Sequence, residues 1–142
     1  MTKSGRLSSS KYGIMVPMTF CCGKKKNNGE IEPTRPWGDF EILGKVDSTV
    51  IKRITVRPLK RLSYQSHKKR AEHWFIIKGN GRITLNDNVE DIKTGESVNI
   101  TPLSKHRIEN TDPKEDLIFI EISTGVFDEN DIVRYEDDFG RK

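Results

Sequence analysis

The chain has three histidines, His67, His73 and His106, and two of them stand where a metal ion could be held. His67 belongs to the run Leu62-Ser-Tyr-Gln-Ser-His-Lys-Lys-Arg-Ala-Glu-His-Trp74, and His106 to Thr101-Pro-Leu-Ser-Lys-His-Arg-Ile-Glu-Asn110. In an extended chain Gln65 and His67 are two residues apart and project to one face, so an amide oxygen and an imidazole nitrogen converge. Glu72 follows His67 at an odd offset, so the chain must bend through residues 68–71 before the carboxylate can face the same way. His106 then has only to arrive from a neighbouring strand. Two imidazoles, a carboxylate and an amide oxygen suit a divalent ion such as zinc, manganese or iron, with room left for water or substrate. On residue types alone, ordinary surface polarity is the more common reading of such a set. His73 has odd parity to Glu72 and is expected to face away, packing with Trp74 or a sheet edge.

The elements around these residues read as strands. Short stretches rich in Ile, Val, Thr and Phe fall at 39–43, 50–56, 73–78, 81–85, 96–100, 106–109 and 117–123. Turn residues separate them: Lys78-Gly-Asn-Gly81 and Asn86-Asp-Asn88 both carry hairpin chemistry. No segment repeats apolar residues at helical spacing for three turns, while Thr84, Val98 and Ile100 fit a two-residue alternation. The pattern predicts an all-β antiparallel sandwich or barrel. One short helical turn is expected within 129–133, and Trp37 and Trp74 are expected in the core or an interface.

The 142 residues carry 25 Lys and Arg against 21 Asp and Glu, a net charge of +4, with an isoelectric point near 9.1 and a mean hydropathy of −0.67. Seven of the cations and two of the acids lie in residues 1–35, so the remainder is close to neutral. The excess sits in a basic tail, expected over residues 1–34 and disordered or irregular, with the folded domain over 35–142. Partitioned in this way, the charge gives no signature of nucleic-acid binding. No window approaches the roughly 18 apolar residues of a bilayer helix, and no secretory signal is evident, so the expected compartment is the cytoplasm. Cys21 and Cys22 are adjacent and suggest neither a disulfide nor a zinc knuckle.

The spacing around the histidines resembles the two cupin motifs. Gly-x5-His-x-His-x4-Glu-x6-Gly is matched by Leu59-x5-Gln65-x-His67-x4-Glu72-x6-Gly79. Gly-x5-Pro-x-Gly-x2-His-x3-Asn is matched by Gly95-x5-Thr101-x-Leu103-x2-His106-x3-Asn110. Every offset is kept; Leu59, Gln65, Thr101 and Leu103 are the departures. Gln at the first ligand position, Arg70-Ala-Glu-His-Trp74, Arg35-Pro-Trp-Gly38, Ile120-Glu121 and Asp131-Ile-Val-Arg134 resemble the carboxy-terminal cupin domain of type II mannose-6-phosphate isomerases. Ser123 stands where that family usually carries Gln.

The resemblance implies a single cupin jelly roll (double-stranded β-helix). It also implies interconversion of mannose 6-phosphate and fructose 6-phosphate, feeding GDP-mannose synthesis. It places the metal on Gln65, His67, Glu72 and His106, with zinc first and manganese, cobalt or iron as other choices. It gives Arg70 a part in proton transfer or in holding substrate oxygens. Ser63, sharing the ligand face two residues before Gln65, is implied as a phosphate contact, with Lys52 and Arg107 as further substrate-binding candidates. Eight cations between Lys52 and Arg70, with no acid among them, give a local field that favours a phosphorylated sugar. A homodimer is expected from the fold. Those enzymes are often fused behind a nucleotidyltransferase domain that this length does not accommodate. The alternative is therefore a non-catalytic cupin that binds a sugar phosphate or nucleotide sugar and accompanies a separate guanylyltransferase.

Overall fold

The computed structural model of the protein describes residues 34–142, and the tail and cysteine expectations lie outside them. Ten strands form: β1 (Gly38–Val46), β2 (Thr49–Val56), β3 (Tyr64–His67), β4 (Arg70–Lys78), β5 (Asn80–Leu85), β6 (Asn88–Lys93), β7 (Ser97–Ile100), β8 (His106–Asn110), β9 (Leu117–Gly125) and β10 (Ile132–Glu136). They make two antiparallel five-stranded sheets, ordered β1-β2-β9-β4-β7 and β10-β3-β8-β5-β6. Facing antiparallel sheets with this strand order are the expected jelly roll. Among the described residues, no helix is long and apolar enough to cross a membrane.

What positions the site is a change of polarity along one inner face. In β2, Ile54 and Val56 point inward, as do Trp74 and Ile76 in β4 and Leu117 and Phe119 in β9. At the other end of the same strands the inward positions are Lys52, Arg70, Glu72, Glu121 and Ser123. Register keeps the two halves apart: Ile54 lies opposite Phe119 and Lys52 opposite Glu121, while Glu72 lies opposite Ser123. The apolar end closes against Leu62, just before β3, and against Ile83, Ile92 and Ile108 of the second sheet to form the core. Each such side chain, fully buried, contributes on the order of 1.5–3 kcal/mol. The Trp74 and Phe119 rings pack at 4.9 Å between centroids, and Trp37 is buried in the same cluster. The polar end cannot close this way and forms a cleft.

The turns are partly as expected. Asn86 and Asp87 have φ of 47° and 67° and join β5 to β6 as a tight hairpin. Lys78-Gly-Asn-Gly81, by contrast, is not a hairpin: β4 and β5 belong to different sheets, and the segment is a corner between them. Gly79 has φ of 94°, and a Cβ there would lie 2.7 Å from the Asp116 carbonyl oxygen, so the corner demands glycine. The expected helical turn is a short 3-10 segment, Glu129–Asp131, with Asp128 as its N-cap. Leu59 and Leu103, which replace motif glycines, have φ of 58° and 71°. They keep the glycine conformation at a cost of roughly 1 kcal/mol each.

Candidate functional site

His67 ends β3, Arg70 and Glu72 open β4, and the two-residue corner between the strands supplies the bend that brings Glu72 round to His67. Asp131 fixes that corner. Its Oδ2 accepts the backbone N–H groups of Lys68 (3.0 Å) and Lys69 (2.8 Å). The loop before β8 holds the histidines: the Leu103 N–H donates to the His67 carbonyl at 2.6 Å, and His106 Nδ1 bonds the Ser104 carbonyl at 2.9 Å. A carbonyl only accepts, so His106 carries a proton on Nδ1, which leaves Nε2 as the atom that faces the site.

His67, Glu72 and His106 are all buried, and their ligating atoms lie within 4.8 Å of one another. Glu72 Oε1 is 3.3 Å from His67 Nε2, and Oε2 is 3.5 Å from His106 Nε2. Trp74 Nε1 donates to Oε2 at 3.2 Å. Among the described residues, His106 Nε2 has no hydrogen-bond partner. An imidazole nitrogen and a carboxylate oxygen facing each other in a buried site are joined by a proton or a cation, and two imidazoles around one carboxylate fit a divalent ion. The cation that meets this set here is Arg70, whose Nε donates to Glu72 Oε1 at 2.9 Å and whose Nη2 donates to His67 Nε2 at 3.0 Å. Gln65 stands beside them: its Nε2 is 3.5 Å from His67 Nε2, and its Oε1 accepts from Ser63 Oγ at 2.7 Å. A half-turn of the amide would direct the oxygen to the His67 side.

Burial, reinforced by the Arg70 and His106 charges, lowers the His67 pKa to about 4 against the opposing pull of Glu72. Neutral imidazole is the form that binds metal. Burial pushes Glu72 upward, but His106, His67 and Arg70 together outweigh it and hold the carboxyl at about 2.

A cleft of about 700 Å³, counting its solvent-open mouth, adjoins the triad. Ser63, Gln65, Arg70, Glu72 and Lys52 line it, so the structure brings most of the expected residues together. Lys52 Nζ bonds Glu121 Oε1 at 3.1 Å, and the Phe127 ring lies under both Lys52 Nζ (4.4 Å) and Arg70 (5.1 Å). Arg107 is not brought there; it stacks on Tyr64 at 5.2 Å and pairs with Glu136. Residue 107 alternates with His106 along β8 and so projects from the other face. His73 also points away, bonding Asn99 at 2.6 Å.

Five charged cleft residues are not among the expected site residues: Glu121, Glu129, Arg35, Arg134 and Arg141. For Glu121 there was a signal, since it continues the inward parity of Leu117 and Phe119. Burial first, then the Glu72 charge, raise its pKa above the usual carboxylate range despite Lys52 and Ser123. Burial, followed by the charges of Arg141 and Arg35, lowers the Arg134 pKa against the pull of Asp137 and Glu129.

Facing antiparallel sheets with a buried His–Glu–His triad at the polar end define a cupin-type domain with a candidate metal centre. Solved structures carry the same fold: a Klebsiella pneumoniae protein with a double-stranded beta-helix domain has a TM-score of 0.64 at 18% identity, covering 75% of this chain and 86% of its own. A cupin 2 domain-containing protein from Halorhodospira halophila has a TM-score of 0.63 at 21% identity, covering 70% and 71% respectively. The chain belongs to the mannose-6-phosphate isomerase C-terminal family, which it matches over residues 23–137. Among curated relatives, the mannose-1-phosphate guanylyltransferase ManC of Salmonella typhimurium is 38% identical over 120 residues, which is 84% of this chain and 25% of ManC. The chain thus spans about a quarter of the length of that relative.

Proposed function

We propose that this domain is a metal-dependent sugar-phosphate isomerase interconverting mannose 6-phosphate and fructose 6-phosphate, a step that supplies GDP-mannose synthesis. The observation that carries the reading is the buried His67–Glu72–His106 triad opening onto a cleft lined by five cationic side chains and three carboxylates, in a chain of this family. Gln65, His67, Glu72 and His106 would hold the ion, zinc first. A divalent ion there supplies Lewis-acid stabilisation of the negative charge that develops on the sugar's carbonyl and hydroxyl oxygens as a proton moves between C1 and C2.

The chain's own groups do the rest. Arg70, which lines the cleft and donates to Glu72 and His67, would offer its guanidinium to the sugar oxygens. Glu121 is the group suited to carry the proton: it lines the cleft, its raised pKa makes it a stronger base than an ordinary carboxylate, and Lys52 and Ser123 orient it. Ser63 and Lys52 are further substrate contacts. The outward face of the first sheet carries Ile51, Phe75, Ile118, Ile120 and Ile122 on adjacent strands, which supports a homodimer. Light scattering should give twice the chain mass, and Ile120→Asp should give the monomer.

The test is a coupled assay of metal-loaded protein with mannose 6-phosphate, alongside His106→Ala, which should be inactive. If the wild type binds mannose 6-phosphate but converts none of it with zinc, manganese or cobalt, the isomerase reading fails and the non-catalytic binding module takes its place.

A further inference from the structure

Sheet register brings a second set of charges to the cleft. Arg134 of β10 lies directly opposite Gln65 of β3, so it stands beside the candidate metal centre. Directly opposed residues project to one face, with Cβ atoms about 5 Å apart, and both residues line the cleft. An arginine rooted there shares the cleft with the candidate metal residues, as the phosphate at C6 of a hexose shares a molecule with its reacting C1 and C2.

Arg141 and Arg35 line the same cleft, close enough for their charges to act on Arg134. Asp137 engages Arg141 through both Nε (3.1 Å) and Nη2 (2.7 Å), which neutralises and anchors it. Arg134 Nη1 donates to the Lys142 carbonyl at 3.0 Å, but its Nε is buried and has no partner among the described residues. Arg35 forms no salt bridge among the described residues and rests against the Phe40 ring at 5.6 Å. Asp137 and, after it, Glu129 are the carboxylates whose charge acts on Arg134. A buried guanidinium N–H without an acceptor is costly, and a dianion with three acceptor oxygens meets both the charge and the missing hydrogen bond.

We propose that Arg134, supported by Arg35 and Arg141, forms the phosphate-binding subsite of this cleft and fixes the phosphorylated end of the sugar while its other end meets the metal residues. The assignment rests on the sugar-phosphate reading above, yet it has its own test. Arg134 and Arg35 are the binding groups, and Arg141, held by Asp137, shapes the wall.

Calorimetric titration of chelator-treated protein with mannose 6-phosphate, mannose and inorganic phosphate reads binding without turnover. The expected results are that mannose 6-phosphate and phosphate bind the wild type and that Arg134→Gln weakens both by about 10- to 100-fold, the range for a lost charge-assisted hydrogen bond. Arg35→Gln, remote from the Lys142 contact, should weaken them about 3- to 10-fold and so guards against a folding defect in the first variant. Mannose should bind all three proteins alike, and in turnover the loss should appear in KM with kcat largely kept. Unchanged phosphate affinity in both variants, or no phosphate binding by the wild type, overturns the subsite. Wild-type turnover with an unaltered KM in Arg134→Gln overturns the subsite and leaves the isomerase standing. Arg134-dependent phosphate binding without turnover removes the isomerase and leaves the subsite standing.

Discussion

Glu72→Gln in the metal-free protein isolates the electrostatics of the site. The substitution keeps the volume and removes one charge, leaving the Arg70 guanidinium, 5% exposed, without its counterion. Breaking a buried pair in this way costs about 3–5 kcal/mol. Against the upward push of burial, the same carboxylate is held below the usual carboxylate range by His106 and His67 first and by Arg70 after them, so the substitution touches all three partners. Urea unfolding with chelator at pH 7 should therefore lose about 3–4 kcal/mol. Removing both charges with Arg70→Met and Glu72→Gln should recover much of that loss, because an apolar replacement no longer strands a buried charge. A cost under about 1 kcal/mol for the single variant, or a double variant no more stable than the single, would refute the buried-pair account.

Other outcomes follow from the same contacts. Asp131→Ala removes the acceptor of two backbone N–H groups at the β3–β4 corner; it should cost about 1–3 kcal/mol in urea unfolding and lower zinc affinity at least tenfold in a competition titration. Asn110→Ala, at a fully buried position, strands the Val56 and Glu115 carbonyls and the Asp112 N–H; thermal unfolding should show a loss of about 3–5 kcal/mol. In metal-free protein His67 titrates at about 4 rather than 6.5, so the unfolded chain binds more protons in that window and stability falls as pH drops from 6.5 towards 4. Glu72, held at about 2 rather than 4.5, adds a further loss as pH falls from 4.5 towards 2. Tm against pH should show both limbs, and His67→Gln should flatten the upper one.

The candidate metal residues were legible because their offsets are short and their parity is local. Gln65 and His67 share a strand face, and only the bend before Glu72 had to be supposed. The hydrophobic stretches of β2, β4 and β9 announced themselves for the same reason, since their inward positions are apolar over half their length. β3 was not legible as a strand because Tyr64-Gln-Ser-His67 is polar where it faces the site. β6 is an exposed edge with one buried residue, Ile92. β10 hides in an acidic stretch whose inward positions include Arg134. Without β10 nothing along the chain connects residue 134 to residue 65, so the arginine wall was invisible. The corner after β4 was misread because its Gly-Asn-Gly chemistry suits a hairpin and a change of sheet equally well. Arg107 followed from charge alone, against the alternation that sets it opposite to His106.

The candidate ligands do not belong to one sheet. Gln65, His67 and His106 sit on β3 and β8, and Glu72 sits on β4 of the facing layer. An ion held by all four is therefore a rivet through the open end of the sandwich, where the apolar core does not reach. Loading should stiffen that end selectively, slowing amide hydrogen exchange at the β3–β4 corner and in β8 far more than around Phe119. The residues that would hold an ion would thus also decide how firmly the two layers are joined, and protein stripped of it should be looser at the mouth of its own cleft.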